Sequence, residues 1–258
     1  MFYTAYFDAS GKVADPVMTV AGSVASVRKW SRFESQWGHA LANEGIKVFH
    51  ATDFAACKRE FKNWRGDKAR RSSFMATLGK IIRNSTNRFF IASVELNAWQ
   101  VVNEEYLLEE AFHHPYSLCG FSVVLQVEKW RKGKGIRSPI EYVFEPGDEG
   151  WDGLRRLCST SGIEPIRKKA VPCQVADWIA WKNRIACTNS LAKLNAIAPV
   201  SDVLLDIENF LGIADEIKSL DKMLVRPGRS LVYSPDALRR TCIKSRVPKR
   251  QKIQSVVL

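Results

Sequence analysis

No two of the six cysteines form a CxxC pair; Cys57, Cys119, Cys158, Cys173, Cys187 and Cys242 are scattered along the chain. That spacing argues against a zinc knuckle or a disulfide scaffold and predicts reduced thiols in a cytoplasm. Long uncharged apolar runs are missing as well. The richest stretch, LCGFSVVLQV, is too short to cross a bilayer, so no membrane partner is expected. The first residues, MFYTAYFDAS, carry neither a basic n-region nor a small-residue cleavage site, and do not read as a secretory signal. There is no Walker-type glycine-rich loop, no GxGxxG fingerprint and no GxSxG elbow, which sets aside ATPases, dinucleotide enzymes and α/β-hydrolases. Internal repeats and low-complexity linkers are absent too.

Negative charge is in short supply. The chain has 27 Asp and Glu against 39 Lys and Arg, a net charge of +12 and a pI near 9.5. Such an excess attracts polyanions, and nucleic acid is the commonest of these. The cations are clustered. Lys58, Arg59, Lys62, Arg65, Lys68, Arg70 and Arg71 form one group; Lys129, Arg131, Lys132, Lys134 and Arg137 form a second; Arg239 through Lys252 form a third. The plainer account is a solvated surface, with the second group complementing a helix C-terminus. Three clusters together point to a phosphate-binding face, for which Lys58, Arg59, Lys62, Arg65, Lys132 and Lys134 are the candidates.

At 258 residues, with 46% hydrophobic and 26% charged residues, the chain suits one large α/β domain or a domain plus a helical appendage. YTAYFDAS and PVMTVAGSVAS read as two consecutive strands. Ser26 is placed to cap a helix carrying Trp30, Phe33, Trp37 and Leu41, stopped by Gly45. IKVFHATDF reads as a short third strand, followed by a basic helix with Phe74, Leu78, Ile81 and Ile82 inward. RFFIASVEL is a strand. A helical region from Ala98 to Lys132 follows, interrupted near HHPYS by Pro115. IEYVFEPGD is a strand with a Pro-Gly stop, WDGLRRLCS a short helix, IEPIRKKAV an edge strand, and PCQVADWIAWKNRIA a helix with Pro172 near its first turn. The expected architecture is therefore α/β, with a domain over residues 1–190 and a helical C-terminal extension with a basic tail over 191–258.

Four carboxylates stand out. In YFDASGK, Asp8 ends an aromatic strand and is followed at once by Ser-Gly; either the strand ends there and the charge is wet, or Asp8 holds something positive. Glu145 occupies the same position on its strand, directly before Pro146 and Gly147, and Glu95 comes last but one on RFFIASVEL. Ligands of open α/β sheets bind at that edge. In PCQVADWIAWKNR, Gln174, Asp177, Trp181 and Arg184 share one stripe, and Asp177 sits in apolar company with no cation one turn before it. If these acids converge, a hard divalent cation, Mg²⁺ or Mn²⁺, would relieve their repulsion, and two such ions could hydrolyse a phosphodiester.

Plainer roles exist for each. Asp148, Glu149 and Glu145 could be turn-formers, Glu95 or Asp53 a helix cap, and His50 a satisfied core histidine. Next to a metal site, His50 could instead bind phosphate or move a proton. His113 and His114 read as structural.

The two segments that matter most also carry a likeness. YFDASGK resembles the opening strand motif of the domain of unknown function 3800 family, and VPCQVADWIAW resembles that family's closing Gln-x-Ala-Asp helix. FHATDF and EYVFEPGD fall between them in the family's order, and the likeness spans roughly residues 2 to 190. Ala9 stands where an acid is common, and Glu145 where aspartate is. The resemblance implies a ribonuclease H-like fold: a mixed sheet with antiparallel leading strands, then parallel ones, helices on both faces, and clustered acids binding Mg²⁺ or Mn²⁺. By position Asp8 would be the first-strand acid, Glu145 the central-strand acid and Asp177 the helix acid, with Asp53 or Glu95 completing the set.

The leading expectation is thus a metal-dependent nuclease acting on RNA or DNA through Asp8, Glu145 and Asp177, assisted by His50. The alternative is a catalytically inactive nucleic-acid-binding module of the same fold. A third is a partner in a defence or toxin-like complex, with Trp64 or Trp151 as surface contacts.

Overall fold

The computed structural model describes residues 1–12, 14–194 and 230–250. Strand β1 (Tyr3–Ser10) runs antiparallel to β2 (Val17–Ser26), and β2 antiparallel to β3 (Arg88–Glu95). Outside this trio the pairings are parallel. Strand β4 (Ile140–Phe144) lies beside β1, β5 (Ile166–Arg167) beside β4, and β6 (Ser230–Tyr233) beside β3. The six-stranded order is β5-β4-β1-β2-β3-β6, so β2 alone runs against the others and the carboxyl ends of β1, β3 and β4 share one edge. This is a mixed sheet of ribonuclease H-like order.

All ten residues of β2 are buried, as expected of a strand covered on both faces. On one face Val20, Val24, Phe7 and Phe90 pack against α4 (Leu96–Glu105), α6 (Pro115–Gly133) and α7 (Trp151–Ser159), with α5 (Leu108–Phe112) alongside. On the other face lie α1 (Val27–Asn43), α2 (Ala51–Ala56), the 3₁₀ turn Arg59–Trp64, α3 (Lys68–Ser85) and α8 (Cys173–Leu194). Here β2 presents small residues, Thr19, Ala21, Ser23 and Ala25, and α8 lies directly on β1 and β2. Helices cover both faces, as the sequence predicts. Ser26 caps α1 by accepting from the Lys29 amide, and His114 caps α6 by accepting from the Tyr116 amide.

Three expectations are corrected. IKVFHATDF contributes no strand. Its backbone donors are taken by side chains instead: the Lys47 and Val48 amides bond to the Glu60 carboxylate and the Phe49 amide to Gln174. The segment then enters α2, whose N-cap residue is His50, so Asp53 lies in the first turn rather than at the cap. Trp64 is not a surface contact. It is 2% exposed, packed in an aromatic cluster with Phe54, Phe61 and Phe74, and the Arg70 guanidinium covers its ring.

Beyond residue 190 the sequence pattern is helical. The described part contains α9 (Pro235–Lys244) but also β6, which joins the sheet at β3. The helical expectation for residues 195–229, and Lys252 of the basic tail, lie outside the described residues. Among the described residues no helix is long and apolar enough to cross a membrane.

Candidate functional site

The β1–β4 ladder brings two acids together. Its last register pair is Phe7 with Phe144, whose rings stack at 5.0 Å on the α6 side. The next bond runs from the Glu145 amide to the Phe7 carbonyl at 2.9 Å. Asp8 and Glu145 are therefore neighbours on adjacent parallel strands, with backbones about 4.8 Å apart. Side chains alternate along a strand, so both carboxylates face away from Phe7 and Phe144, toward α8. Ser10 and Gly11 close the motif. Ser10 Oγ accepts from Arg184 of α8 at 3.0 Å, and Gly11 takes φ +111°, where a side chain would be strained.

Helix α8 supplies the third acid from the same face. Gln174 Oε1 accepts from the Trp37 indole at 3.0 Å and from the Phe49 amide at 2.9 Å. One turn on, Asp177 Oδ2 accepts from the Ala51 amide at 2.9 Å and lies 3.6 Å from His50 Nδ1. Together they pin the loop before α2 to α8, with the Phe49 ring buried against Trp37 and Trp178. Among the described residues the partners seen for Asp177 are thus a backbone N–H and an imidazole, with no Lys or Arg pairing. His50 keeps 46% of its side-chain surface exposed, against 16% for Asp177.

The electrostatics join these groups. Burial pushes the Asp8 carboxyl well above the usual carboxylate range, and repulsion from Asp177, Glu145 and Asp148 adds to it, while the Ala9 amide on Oδ1 opposes the shift. Glu145 is raised by burial and by Asp177, and relieved by His50 and Lys169. Asp148 is pushed up to about 6 by burial and by Glu145, and relieved by Arg167. His50 is raised by the Asp177 carboxylate beside its Nδ1, against burial, with smaller help from Asp53 and Glu145. Asp8, Glu145, Asp148, Asp177 and His50 form one interacting set.

Asp148 was legible only as a turn-former. The missed signal is its place three residues after Glu145, across a Pro-Gly turn that folds the chain back toward the strand end. Lys169 and Arg167, read as parts of an edge strand, are the cations that act on Glu145 and Asp148.

The remaining candidates separate. Asp53 lies 3.5 Å from Arg59, and its charge acts on His50 rather than on the other acids. Glu95 pairs with Val17, whereas Asp8 pairs with Ala21 and Ala21 with Ile91. It therefore sits two strands across and four residues along from Asp8, about 16 Å away by strand spacing and rise. Its carboxyl is raised by burial, with no acid contributing.

Of the basic candidates, Lys58, Arg59, Lys62 and Arg65 are exposed around the 3₁₀ turn that follows α2, on the His50 side. Arg71 is buried and spent on the carbonyls of Phe54 and Ala55. Lys132 and Lys134 do not border the acids. They end α6, whose Trp130 packs on Tyr3 at the amino end of β1, about 17 Å of strand from Asp8 and on the opposite face.

Among the described residues no three His, Cys, Asp or Glu donors are drawn together closely enough to hold a metal ion by themselves. The donor chemistry nevertheless suits a hard cation. Asp8 Oδ1 and Asp177 Oδ2 are occupied, while no bond is seen among the described residues to Asp8 Oδ2, Asp177 Oδ1 or the Glu145 carboxylate. Mg²⁺ is ordinarily held by one or two carboxylates, with water and substrate phosphate filling the other positions, and needs no all-protein cage. No protein-family model matches the chain, and no curated protein matches it.

Proposed function

We propose that this protein is a divalent-metal-dependent nuclease that hydrolyses phosphodiester bonds of RNA or DNA at the carboxyl edge of β1 and β4. The observation that carries the reading is the set of mutually repelling acids, Asp8, Glu145 and Asp177, on one face of a ribonuclease H-like sheet. Such a set raises the energy of the empty site and favours whatever cation enters it. Asp8 and Glu145 would hold Mg²⁺ or Mn²⁺, with Asp177 Oδ1 available to it. When bound, the metal would activate water and neutralise phosphate charge.

The other roles belong to the chain itself. Asp177 orients the His50 ring through Nδ1 and favours the imidazolium, leaving Nε2 to donate to a phosphate oxygen or to protonate the departing oxygen. Lys169 and the exposed Lys58 and Arg59 attract the substrate backbone, a contribution that falls with salt. The likeness of YFDASGK and VPCQVADWIAW to the family named above supports the same assignment.

The test is incubation of the wild type, Asp8→Asn and Asp177→Asn with labelled single- and double-stranded RNA, DNA and hybrid, plus Mg²⁺ or Mn²⁺. Loss of metal-dependent cleavage in both variants, with binding retained, is the expected result. Unchanged cleavage in Asp8→Asn would overturn the reading.

The absence of a closed three-donor cage among the described residues favours a second reading, a nucleic-acid-binding module without turnover. It predicts salt-sensitive binding with no heat of metal binding in a calorimetric titration.

A further inference from the structure

A groove of about 710 Å³ runs between α7 and β5, in the size range of ligand-binding clefts. Its walls carry Trp151, Arg155, Arg156 and Arg167, with Asp152 and Glu164 also present. Arg155, Arg156 and Arg167 are exposed, and among the described residues no carboxylate pairs with Arg155 or Arg156. The Arg167 guanidinium lies over the Trp151 ring, 5.1 Å from its centroid, a planar cation against an aromatic face. The Trp151 ring in turn packs 6.0 Å from Phe144, the residue before Glu145, and the Arg167 charge is felt at Asp148. Arg167 pairs with Phe144 where β4 and β5 end, so the groove lies on the face opposite the acids but shares their sheet edge.

We infer that this groove is the track for a single-stranded nucleic-acid segment whose strand crosses the carboxyl edge of β4 and β5 to reach the acidic site on the other face. An unpaired base extends the Trp151–Arg167 stack, and Arg155 and Arg156 take the adjoining phosphates. Stacking of this kind needs bases that are free of a duplex, since only unpaired bases offer a face to a guanidinium or indole plane. Asp152 and Glu164 repel phosphate from their parts of the wall, which confines the backbone to the arginine side. The inference rests on the nucleic-acid reading above, but not on cleavage.

The experiment measures fluorescence anisotropy of the full chain, in EDTA, with labelled oligouridylate and oligothymidylate dodecamers and a duplex of equal length. Three variants are compared with wild type. Arg155→Ala/Arg156→Ala removes two exposed charges, Arg167→Lys keeps the charge but loses the planar stack, and Lys132→Ala/Lys134→Ala alters cations remote from the groove.

Single strands should bind the arginine double variant about tenfold more weakly, with the salt dependence reduced by about 1.4 in slope, as two lost phosphate contacts require. Arg167→Lys should weaken single-strand binding several-fold and leave duplex binding unchanged. The remote pair should bind as wild type, and the two dodecamers will show whether RNA or DNA is preferred. Wild-type affinity in both groove variants, or duplex bound as tightly as single strands, overturns the inference. Groove-dependent binding without any metal-dependent cleavage sustains it and removes only the nuclease reading; cleavage with groove variants that bind normally does the reverse.

Discussion

Glu145 stands beside Asp8 because its own amide completes the β1–β4 ladder on the Phe7 carbonyl. Pairing the strands and placing a second negative charge next to the first are the same act. The site is held in an electrostatically unfavourable state by the hydrogen bonds that build the sheet, and this governs how stability responds to pH.

Asp8 and Asp148 bind protons more tightly in the folded chain than in the unfolded one. Their contribution to stability is full below the ordinary carboxylate value of 3.8 and declines as pH rises, through about 6 for Asp148. Asp148→Asn should therefore stabilise the metal-free protein at neutral pH, by about 2 kcal/mol or roughly 4–8 °C in Tm, and have little effect in acid. Asp8→Asn should act in the same direction. Thermal unfolding with and without Mn²⁺ checks both, and Mn²⁺ should raise the Tm of wild type but not of Asp8→Asn.

His50 should titrate above 6.5, since Asp177 holds its protonated form. The stabilisation it gives is present below 6.5 and lost as pH rises through the folded value. In Asp177→Asn the imidazole should titrate lower, because burial then acts with less opposition. NMR titration of the ring protons in the two proteins measures the difference.

Gln174→Ala should destabilise the chain by about 3 kcal/mol, because the Trp37 indole and the Phe49 amide both lose their acceptor. Hydrogen exchange should quicken at Phe49 and Ala51 before the rest of the fold responds. Protection unchanged at these two amides would show that the loop is held by its aromatic packing alone.

Gly22→Ala tests the sheet itself. An added methyl would collide with the Tyr6 carbonyl and the Phe7 ring across the strand pair. A loss of about 3 kcal/mol in denaturant titration is expected, since neither the backbone nor a buried ring can yield cheaply.

Much of this arrangement is legible in the residues. The alternation that sets Tyr6 and Asp8 apart from Phe7, the stop after Glu145 and the single acid in an apolar helix are local patterns, and the structure places those three acids on one side of the sheet. What is not legible depends on bonds between distant segments. IKVFHATDF has strand composition, but its amides are taken by side chains outside it, Glu60 just beyond the segment and Gln174 far along the chain. The α6 lysines look like a substrate rim until Trp130 is seen packed against Tyr3 at the far end of β1. Asp148 reads as a turn residue because charge repulsion across a Pro-Gly reversal has no signature in composition. The strand β6 is four residues long, and the pairing that makes it a strand is supplied by β3, a partner more than a hundred residues earlier.

Helix α8 packs on β1 and β2 and also anchors the loop that carries His50. During synthesis, everything from Asp8 to Glu145 leaves the ribosome before the segment that organises it. A nascent chain halted short of residue 177 would have a sheet edge and an untethered histidine, with no assembled centre. Whatever chemistry the finished protein performs is thereby delayed until translation has passed that helix.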